Sequence, residues 1–599
     1  MATEIKKRSE MDPAYTWDTT GIFPSDEDWN KALEAAYAYV PQVQSYQGRL
    51  AESGETLLAF LDLEEKINEE VGVLYGYTSL KADEDTAVAK YQDMKGKALQ
   101  LAVTLDTASA FETPELIAIE EETLEGFYAA CPALEKYRKA LHNVRRRKAH
   151  VLSPKEEALL AATGEMAESP HHIYNLFVGA DMKFPEAVDG EGGKHPLTAG
   201  TLVNLLQSPD RALRENAFAT YYDTHDGMSN TAAALLNAQA KQLKFFADAR
   251  KYGSALEASL DRTNVPVSVY TNLLEAVNDN LPKLHKYMAL RKKLMGVDEL
   301  HMYDIYTTLV ADADVKIPFE QAKEGVLEAC AVLGEDYVNV LKEAFANRWI
   351  DVYENVGKRS GAYSSGMAKP HPFVLLNHKD TLDSQFTLAH EMGHAMHSYL
   401  SRKYQEPTYA HYVIFVAEVA STVNEALLMQ SLLKKTTDKK EKAYLINYFL
   451  EQFRTTVYRQ AMFAEFEKIC GEMAARGDAL TAAALDKVYL ELNERYYGPA
   501  VTVDERISGE WARIPHFYYN YYVFQYATGF SAAMAISQKL LNEGESAVKD
   551  YLRFLSGGCS ETPIDLLKIA GVDMTTKAPV NAALELFGEL IDQLEELMA

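Results

Sequence analysis

The chain has 599 residues, enough for several folded domains, and its 87 Asp and Glu outnumber its 60 Lys and Arg to give a formal net charge of −27. This acidic surplus argues against non-specific binding to nucleic acid, whose phosphates attract basic surfaces. The four Cys residues are far apart and form no C-x-x-C pair, which argues against zinc-thiolate and dithiol redox motifs and suits a reducing compartment.

Helical patterns dominate the chain. Ala-, Leu-, Glu- and Lys-rich segments such as 28–110 and 424–496 carry apolar residues at helical spacing, which predicts a mainly α protein. Residues 153–156 are typical of a capping box that opens a helix. Residues 181–193 end in a Gly-rich turn and predict a small β element. Residues 1–10 contain no apolar h-region, so no secretory signal and a cytoplasmic location are expected.

Two segments before residue 380 have β or turn character. Residues 357–366 contain three Gly and three Ser without a helical period, which is typical of a turn-rich loop or an edge strand. Residues 371–378 have strand composition, with Pro372 near the start. We expect an extended peptide to pair with the open edge of this strand and the glycines to let the loop close over it. The candidate peptide-binding residues are therefore Gly361, Tyr363, Gly366 and Phe373, and the alternative is a structural hairpin.

Residues 390–394 read H-E-M-G-H, which is the H-E-x-x-H pattern. Positions i and i+4 lie on one face of a helix, so His390 and His394 can share one Zn²⁺. Glu391 lies to the side of both imidazoles, where it can take a proton from a water molecule on the metal. The alternative is a surface helix with two hydrogen-bonded histidines.

The residues around this motif predict a buried helix. Asp383 or Ser384 can cap its start, and no Pro or Gly interrupts the approach to the motif. Buried imidazoles need partners, and a metal ion is one such partner. His397 follows His394 by three residues and is interpreted as a packed core residue in preference to a group that supports a metal ligand.

A further ligand is expected downstream, because catalytic zinc usually takes three protein ligands and keeps one position for water. Residues 412–428 form an apolar run that contains Glu418 and, two helical turns later, Glu425. Since an ionised carboxylate is rarely buried without a partner, Glu418 is predicted to be the third ligand. Glu425 is predicted to hold a ligand imidazole in the right tautomer, and the alternative is that it begins a solvated face.

Residues 514–538 contain no Asp, Glu, Lys or Arg, so a membrane span has to be considered. Polar residues and five tyrosines crowd its first half, which favours a buried helix with a polar lining instead. On such a helix Tyr519, Tyr522 and Tyr526 share one face with His516, and their donors can stabilise an oxyanion. The choice among the three tyrosines stays open, and an aromatic core stripe is the alternative.

Three separate blocks in this order resemble the oligoendopeptidase F branch of the thimet-oligopeptidase-like zinc metallopeptidases. The blocks are the Gly/Ser-rich segment 357–366, the H-E-M-G-H motif followed by F-V-A-E-V-A-S-T-V-N-E at 415–425, and the aromatic segment 516–529. The resemblance implies a cytoplasmic zinc endopeptidase that acts on short peptides. It assigns one Zn²⁺ per chain to His390, His394 and Glu418, with Glu391 as the general base. It also implies that His516 and a tyrosine nearby bind substrate and stabilise the tetrahedral intermediate.

The resemblance further implies a mainly α fold, with a zincin-type catalytic domain and a small sheet in an all-α clamshell that encloses a deep substrate channel. Such a channel would exclude folded proteins and admit oligopeptides. With a boundary near residue 200, we predict an N-terminal helical domain at residues 1–200 and a zinc metallopeptidase catalytic domain at residues 201–599. No nucleic-acid or membrane partner is expected, and the oligomeric state stays open.

Two other classes of protein remain open from the sequence. A zinc carboxypeptidase or dipeptidyl carboxypeptidase would use the same metal ligands and would need a cationic anchor, for which Arg359 and Arg513 are candidates. A non-catalytic helical peptide-binding protein would use its zinc structurally. Structural zinc sites usually fill all four positions with protein ligands, and only three are evident here, which favours an open and hydrolytic site.

Overall fold

The computed structural model describes residues 5–310, 316–367 and 369–599. The chain is mainly α, as predicted, and the short strands of the described residues form three small sheets. None of the described helices combines the length and the apolar character that crossing a bilayer requires.

The helices in chain order are α1 Asp26–Ala36, α2 Tyr39–Gln44, α3 Gly54–Glu84, α4 Ala89–Ala108, α5 Glu112–Ala118, α6 Glu121–Ala130, α7 Arg138–Arg145, α8 Pro154–Ala162, α9 Gly164–Leu176, α10 Leu202–Leu206, α11 Arg211–Asp226, α12 Ser229–Ala249, α13 Ala255–Asp261, α14 Val267–Asp279, α15 Leu281–Met295, α16 Phe319–Ala329, α17 Glu335–Ala346, α18 Leu382–Tyr404, α19 Ile414–Lys435, α20 Lys439–Phe453, α21 Arg459–Arg476, α22 Ala482–Tyr497, α23 Phe524–Glu543, α24 Glu545–Leu555, α25 Pro563–Ile569 and α26 Ala578–Met598. The strands are β1 Ala187–Val188, β2 Lys194–His195, β3 Leu300–His301, β4 Ile350–Asp351, β5 Tyr363–Ser365, β6 Phe373–Leu375 and β7 Val501–Thr502.

The described residues form two compact units, each built from three separate stretches of the chain. Unit 1 contains the described residues of Met1–Val151, Val315–Ser431 and Ile536–Gly571. Unit 2 contains those of Leu152–Asp314, Leu432–Ala535 and Val572–Ala599. The domain boundary near residue 200, the clamshell and its channel stay predictions.

Helices and the three-stranded sheet make the core of unit 1. The long helix α3 starts where the Ser53 hydroxyl accepts the Thr56 N–H at 3.2 Å, and it packs along α4 through fully buried Leu57 and Leu101. The sheet has the strand order β4–β6–β5, and α18 lies against β5 and β6. This packing places the H-E-x-x-H helix beside the only mixed sheet of the described residues.

The sheet corrects one prediction from the sequence. The strand that contains Phe373, β6, is central: it pairs parallel with β4 and antiparallel with β5, so it has no open edge. Phe373 is fully buried and its ring meets Trp17 edge-on, with 6.1 Å between ring centroids. Phe373 therefore packs the core and offers no surface to a peptide. The edge strand next to α18 is β5.

Unit 2 contains the two other sheets, each of two strands. The Gly-rich turn at residues 189–193 joins β1 to β2 in an antiparallel hairpin, as predicted, and β3 pairs in parallel with β7. At the start of α8 the capping box is also present, since the Ser153 hydroxyl accepts the Glu156 N–H and the Glu156 side chain accepts the Ser153 N–H. Both elements were predicted because their signals are local.

Candidate metal centre and aromatic cluster

The helix α18 carries the H-E-x-x-H motif and is largely buried, as predicted. It begins after Thr381, whose hydroxyl accepts the Ser384 N–H at 3.1 Å. The expectation that Asp383 or Ser384 caps the helix is wrong, because a threonine two residues earlier fills the cap position. Leu388 and Met392 are fully buried on the face that packs into unit 1.

A glycine inside the motif brings α18 into backbone contact with α19. A Cβ at Gly393 would lie 2.6 Å from the carbonyl oxygen of Ala420 and 2.6 Å from the Cα of Ser421, closer than real side chains approach. Near the same crossing, the Asn424 amide donates to the Ala389 carbonyl at 3.2 Å. The two helices are therefore close enough for carboxylates on α19 to reach the histidines of α18.

Three ligand atoms converge at this crossing. The Nε2 atoms of His390 and His394 are 3.2 Å apart, and the Glu418 Oε2 lies 3.3 Å from the first and 3.4 Å from the second. A tetrahedral zinc ion with bonds of about 2.0–2.1 Å separates its ligand atoms by about 3.3–3.4 Å, so the triangle has the right size. Within the described residues, this is the one group of three or more His, Cys, Asp or Glu side chains that could hold a metal ion.

The donor set also fits a cation chemically. The His390 ring hydrogen-bonds Glu425 through Nδ1, which leaves Nε2 with its lone pair towards Glu418 and His394. Burial opposes charge on both side chains, yet the carboxylates of Glu418 and Glu425 raise the pKa of His390, and the two imidazoles lower the pKa of Glu418. Lone pairs this close together repel unless a positive charge lies between them, which is the position of a metal ion.

The motif glutamate lies beside this triangle without joining it. Glu391 is buried, and its Oε2 has no hydrogen-bond partner among the described residues. Burial raises the pKa of Glu391, and the neighbouring His390 and His394 partly offset that rise. A carboxylate with a free oxygen next to a metal site can accept a proton from a water molecule there.

These groups line a cavity of about 500 Å³ in unit 1, which we call the metal cavity. The edge strand β5 forms part of its wall through Tyr363 and Ser364, and Gly366 follows directly after the strand. The Tyr363 hydroxyl donates to Asp83 at 2.8 Å, which ties the strand to the end of α3. Gly361 does not line the cavity; it has a φ of +83° and belongs to the turn before β5.

Sequence reasoning passed over two residues of this cavity, Ser398 and Arg402. They continue the series His390, His394 in steps of four along α18, and all four line the cavity. That spacing was the available signal. His397, by contrast, is a core residue, as interpreted from the sequence: it is buried and stacked on Tyr412 at 3.7 Å, and burial lowers its pKa to about 3.

The aromatic segment belongs to unit 2, and its local structure differs from the prediction. Helix α23 begins only at Phe524, and the residues before it form a 3₁₀ turn at Pro515–Tyr518 and a bend. Asn520 and Tyr521 have φ values of +56° and +59°, which no α-helix allows. The Tyr521 N–H donates to buried Glu467 at 2.6 Å, and the Gln239 amide donates to the Asn520 side chain at 2.9 Å. These contacts with α21 and α12 hold the bend.

The four predicted side chains nevertheless meet. Ring centroids are 5.5 Å apart for His516 and Tyr519, 6.4 Å for Tyr519 and Tyr522, 5.3 Å for Tyr522 and Tyr526, and 5.9 Å for His516 and Tyr526. Tyr519 is 43% exposed, and the other three are partly exposed, so the group is not a core stripe. Burial lowers the pKa of His516, which favours a neutral ring. We call His516, Tyr519, Tyr522 and Tyr526 the aromatic cluster.

Neither candidate anchor for a substrate carboxylate is an unpaired cation. The Arg513 guanidinium donates to buried Glu510 at 2.6 Å in unit 2. Arg359 pairs with Asp83 at 3.2 Å in unit 1. Both charges are already balanced by carboxylates, which weakens the carboxypeptidase interpretation.

Comparison with known proteins finds matching families and relatives for this chain. Residues 204–586 match the model of Peptidase family M3, and residues 115–184 match the model described as Oligopeptidase F. Oligopeptidase PepF of Bacillus subtilis is 45% identical over 597 residues, covering 100% of this chain and 89% of the relative. The crystal structure of oligoendopeptidase-F from Enterococcus faecium is 36% identical with a TM-score of 0.74, covering 96% of this chain and 99% of that one. A crystal structure from Chlamydophila abortus has a TM-score of 0.94 at 34% identity, covering 99% of this chain and 100% of that one.

Proposed function

Since this chain belongs to peptidase family M3 and is a metalloendopeptidase of the oligoendopeptidase F type, we infer that it hydrolyses peptide bonds. We propose that it cuts internal bonds of short peptides at one zinc ion held by His390, His394 and Glu418. The observation that carries the proposal is the triangle of three ligand atoms 3.2–3.4 Å apart, with the free carboxylate oxygen of Glu391 beside it.

When bound, zinc supplies Lewis-acid chemistry, which polarises a carbonyl oxygen and lowers the pKa of a water molecule to about 7. Side chains of the protein orient the proposed ligands and supply negative charge for the cation. His390 presents Nε2 because Glu425 holds the Nδ1 proton, and Glu418 contributes the negative charge.

Glu391 moves the proton in this proposal. Its Oε2 accepts a proton from the attacking water and then transfers it to the nitrogen of the leaving amine. The absence of a competing partner for Oε2 among the described residues supports this role. Burial makes this carboxylate a stronger base than an exposed glutamate, although the neighbouring His390 and His394 partly offset that effect.

The edge strand β5 positions the peptide. Its inner side pairs with β6, and its residues line the metal cavity, so an extended substrate can pair with the remaining edge. Tyr363 and Gly366 are the proposed contacts from this strand region, and Gly361 allows the turn before it. Phe373 supports the strand from the core.

The aromatic cluster of unit 2 is proposed to bind substrate and to donate hydrogen bonds to the oxyanion of the tetrahedral intermediate. His516 and Tyr526 are the best-supported donors, because the Tyr526 hydroxyl lies 3.5 Å from the His516 Nε2 and each side chain can orient the other. Tyr519 and Tyr522 extend the same group. The support is the family resemblance of this segment and its partial exposure.

Two broader features belong to the same proposal. The substrates are oligopeptides, as the names of the relatives indicate for those proteins. A cytoplasmic location is proposed from the four free cysteines, which suit a reducing compartment.

The proposal is tested with internally quenched peptides of 6 to 20 residues that are blocked at both ends. We expect cleavage inside the short peptides, loss of activity with a chelator and recovery on adding zinc. A carboxypeptidase would leave blocked peptides intact. Equal activity after complete metal removal, verified by metal analysis, would refute the metal site as the place of reaction.

A further inference from the structure

Among the described side chains that line the metal cavity, Arg402 is the one permanently charged cation. It lies on α18, eight residues after His394 and on the same face as Ser398. Eight residues of α-helix rise about 12 Å, so Arg402 lies about that far along the helix from the nearer histidine ligand.

The structure fixes the direction of this side chain without neutralising it. The Arg402 Nε donates to the Gly366 carbonyl at 2.7 Å, which anchors the guanidinium beside the end of β5. In the part of the chain that the structure describes, no carboxylate lies within 4.0 Å of the guanidinium, and its two Nη atoms have no hydrogen-bond partner. Burial lowers the pKa of Arg402, and electrostatic interactions with Glu69 and Tyr412 oppose that change.

A half-buried arginine without a carboxylate is unusual, because a guanidinium that leaves water normally gains an ion pair. Arg359, which precedes β5 in the chain and lines neither cavity, shows the usual arrangement, because it pairs with Asp83. Arg402 therefore retains two N–H groups on each of its Nη atoms for a partner that comes from solution.

Arg402 also lies where the metal cavity meets a second one. A cavity of about 720 Å³ in unit 1 shares Gly366, Arg402 and His411 with the metal cavity. The wall of the second cavity carries four glutamates, namely Glu64, Glu65, Glu69 and Glu112. Burial raises the pKa of Glu112 and raises that of Glu64 to about 7, so this wall carries less than four negative charges at neutral pH. The negative charge that remains still repels an anion, so an anionic group that enters from the metal side is more stable at Arg402 than deeper in the second cavity.

We propose that Arg402 binds a carboxylate of the peptide substrate, three to four residues away from the bond that is cut. The distance follows because an extended peptide advances about 3.3–3.5 Å per residue along the 12 Å between His394 and Arg402. The planar guanidinium matches a carboxylate better than a lysine would, since it donates two parallel hydrogen bonds. This inference rests on the proposed function of the metal cavity.

Two sources of the carboxylate are possible, an Asp or Glu side chain and the free C-terminus. Three series of internally quenched peptides separate them. The first series places Glu or Gln at positions two to five upstream of the cut, the second places them at the same positions downstream, and the third compares a free C-terminal acid with its amide. We expect kcat/KM to be about ten-fold higher for the carboxylate member of one series, at three or four residues from the cut.

The variants Arg402→Gln and Lys403→Gln form a matched pair. Both remove one positive charge from the same turn of α18, but Lys403 is exposed and does not line either cavity. We expect Arg402→Gln to reduce the ten-fold preference to near unity and Lys403→Gln to retain it. Arg402→Lys should keep part of the preference, because it keeps the charge and loses the paired donors.

A purely structural role of Arg402 gives a different result. If the guanidinium only supports Gly366, Arg402→Gln lowers kcat/KM equally for carboxylate and neutral peptides, and the proposal is overturned. If this variant does not fold, the native enzyme decides: a preference that shrinks as ionic strength rises supports the proposal, and no preference in any of the three series overturns it. Failure of the proposed function looks different again, since neutral blocked peptides would then remain uncut.

Discussion

The metal centre of unit 1 and the aromatic cluster of unit 2 were both found as motifs in the sequence, but they are built in different ways. The proposed metal centre uses two regular helices, and its proposed ligands lie at fixed steps along them. The aromatic cluster lies mostly outside helices, on a bend with two residues at positive φ. Side-chain spacing therefore determines the geometry of the first site, whereas tertiary contacts determine that of the second.

The two sites differ in how strongly their geometry depends on a single tertiary contact. In the metal centre, the helices would keep His390 and His394 on one face even if a neighbour changed, because backbone hydrogen bonds fix the spacing. In the aromatic cluster, Asn520 and Tyr521 adopt a backbone conformation that costs about 1–2 kcal/mol per non-glycine residue. That cost is offset only by contacts such as the one between Glu467 and the Tyr521 N–H. Substitutions in each of the two sites test this contrast.

The largest effect is expected from Glu391→Gln, which removes the proposed base and leaves both helices intact. We expect kcat to fall about a thousand-fold or more, with zinc content and melting temperature close to those of the wild type. Stopped assays with a quenched peptide measure kcat, metal analysis measures the zinc content, and thermal denaturation measures the melting temperature. Asp383→Asn is the matched control, since it removes an exposed carboxylate from the same helix. Near-wild-type turnover of Glu391→Gln would eliminate the base assignment.

Glu425→Gln tests whether a group that does not touch the metal still controls it. The amide keeps the size of the side chain but weakens the hydrogen bond that holds His390 in one tautomer. We expect zinc affinity to fall about 10- to 100-fold, measured by competition with a chromophoric chelator. Unchanged affinity would mean that spacing along α18 suffices to orient the imidazole, which would sharpen the contrast between the two sites.

Tyr526→Phe and His516→Asn test the aromatic cluster by removing one donor each. We expect kcat to fall about ten- to a hundred-fold with a smaller change in KM, because an oxyanion donor acts mainly in the transition state. Tyr518→Phe is the control. Tyr518 belongs to the same segment as the cluster but lies outside it, with its ring buried against Tyr174. A change confined to KM would assign the cluster to substrate binding alone.

The smallest effect is expected at Glu467, and it depends on pH. Burial raises the pKa of this carboxyl to about 8, with Tyr270, Cys470 and Tyr521 as the titratable groups that face it. Between the pKa of Glu467 in the unfolded chain and about 8, the folded chain holds a proton that the unfolded chain releases. The contribution of this protonated carboxyl to the stability of the fold is therefore complete at low pH and is lost as pH rises through that range. Glu467→Gln keeps an acceptor for the Tyr521 N–H and does not titrate.

We therefore expect the free energy of unfolding of Glu467→Gln, relative to wild type, to improve by about 1–2 kcal/mol between pH 7.0 and pH 8.5. Urea denaturation at both pH values measures the difference. Glu465→Gln, two residues earlier on α21 and paired with Arg495 at 2.6 Å, is the control and should show no such gain. A parallel pH dependence of wild type and Glu467→Gln would show that the carboxyl is ionised in the fold.

Local patterns made most of the cluster of His390, His394 and Glu418 predictable, whereas its role as a metal centre stays a proposal. The H-E-x-x-H spacing placed two histidines on one face, and a carboxylate in an apolar run identified Glu418 as the group that converges with them. Glu425 reaches His390 as expected, because residues seven apart share a helix face. The mainly α fold and the small hairpin before residue 200 followed from composition and turn residues in the same way.

The errors arose where distant residues decide the structure. The strand order of the sheet, which makes β6 central and β5 the edge, depends on β4 from another part of the chain. The bend at Asn520 and Tyr521 contains no glycine that would indicate positive φ in the sequence. The residues that hold it, Glu467 and Gln239, lie on other helices. The helix cap at Thr381 was missed because three neighbouring polar residues have similar cap preferences.

The close contact at Gly393 makes the distance between α18 and α19 sensitive to the size of the residue at this position. Adding one methyl group there would push against the peptide units of residues 420 and 421, and the helices would have to separate by a fraction of an ångström or more. Glu418 would then retreat from the imidazoles although no ligand had been altered. Anyone who engineers this protein towards weaker or different metal affinity can therefore use position 393 to set the distance between the two helices that carry the proposed ligands.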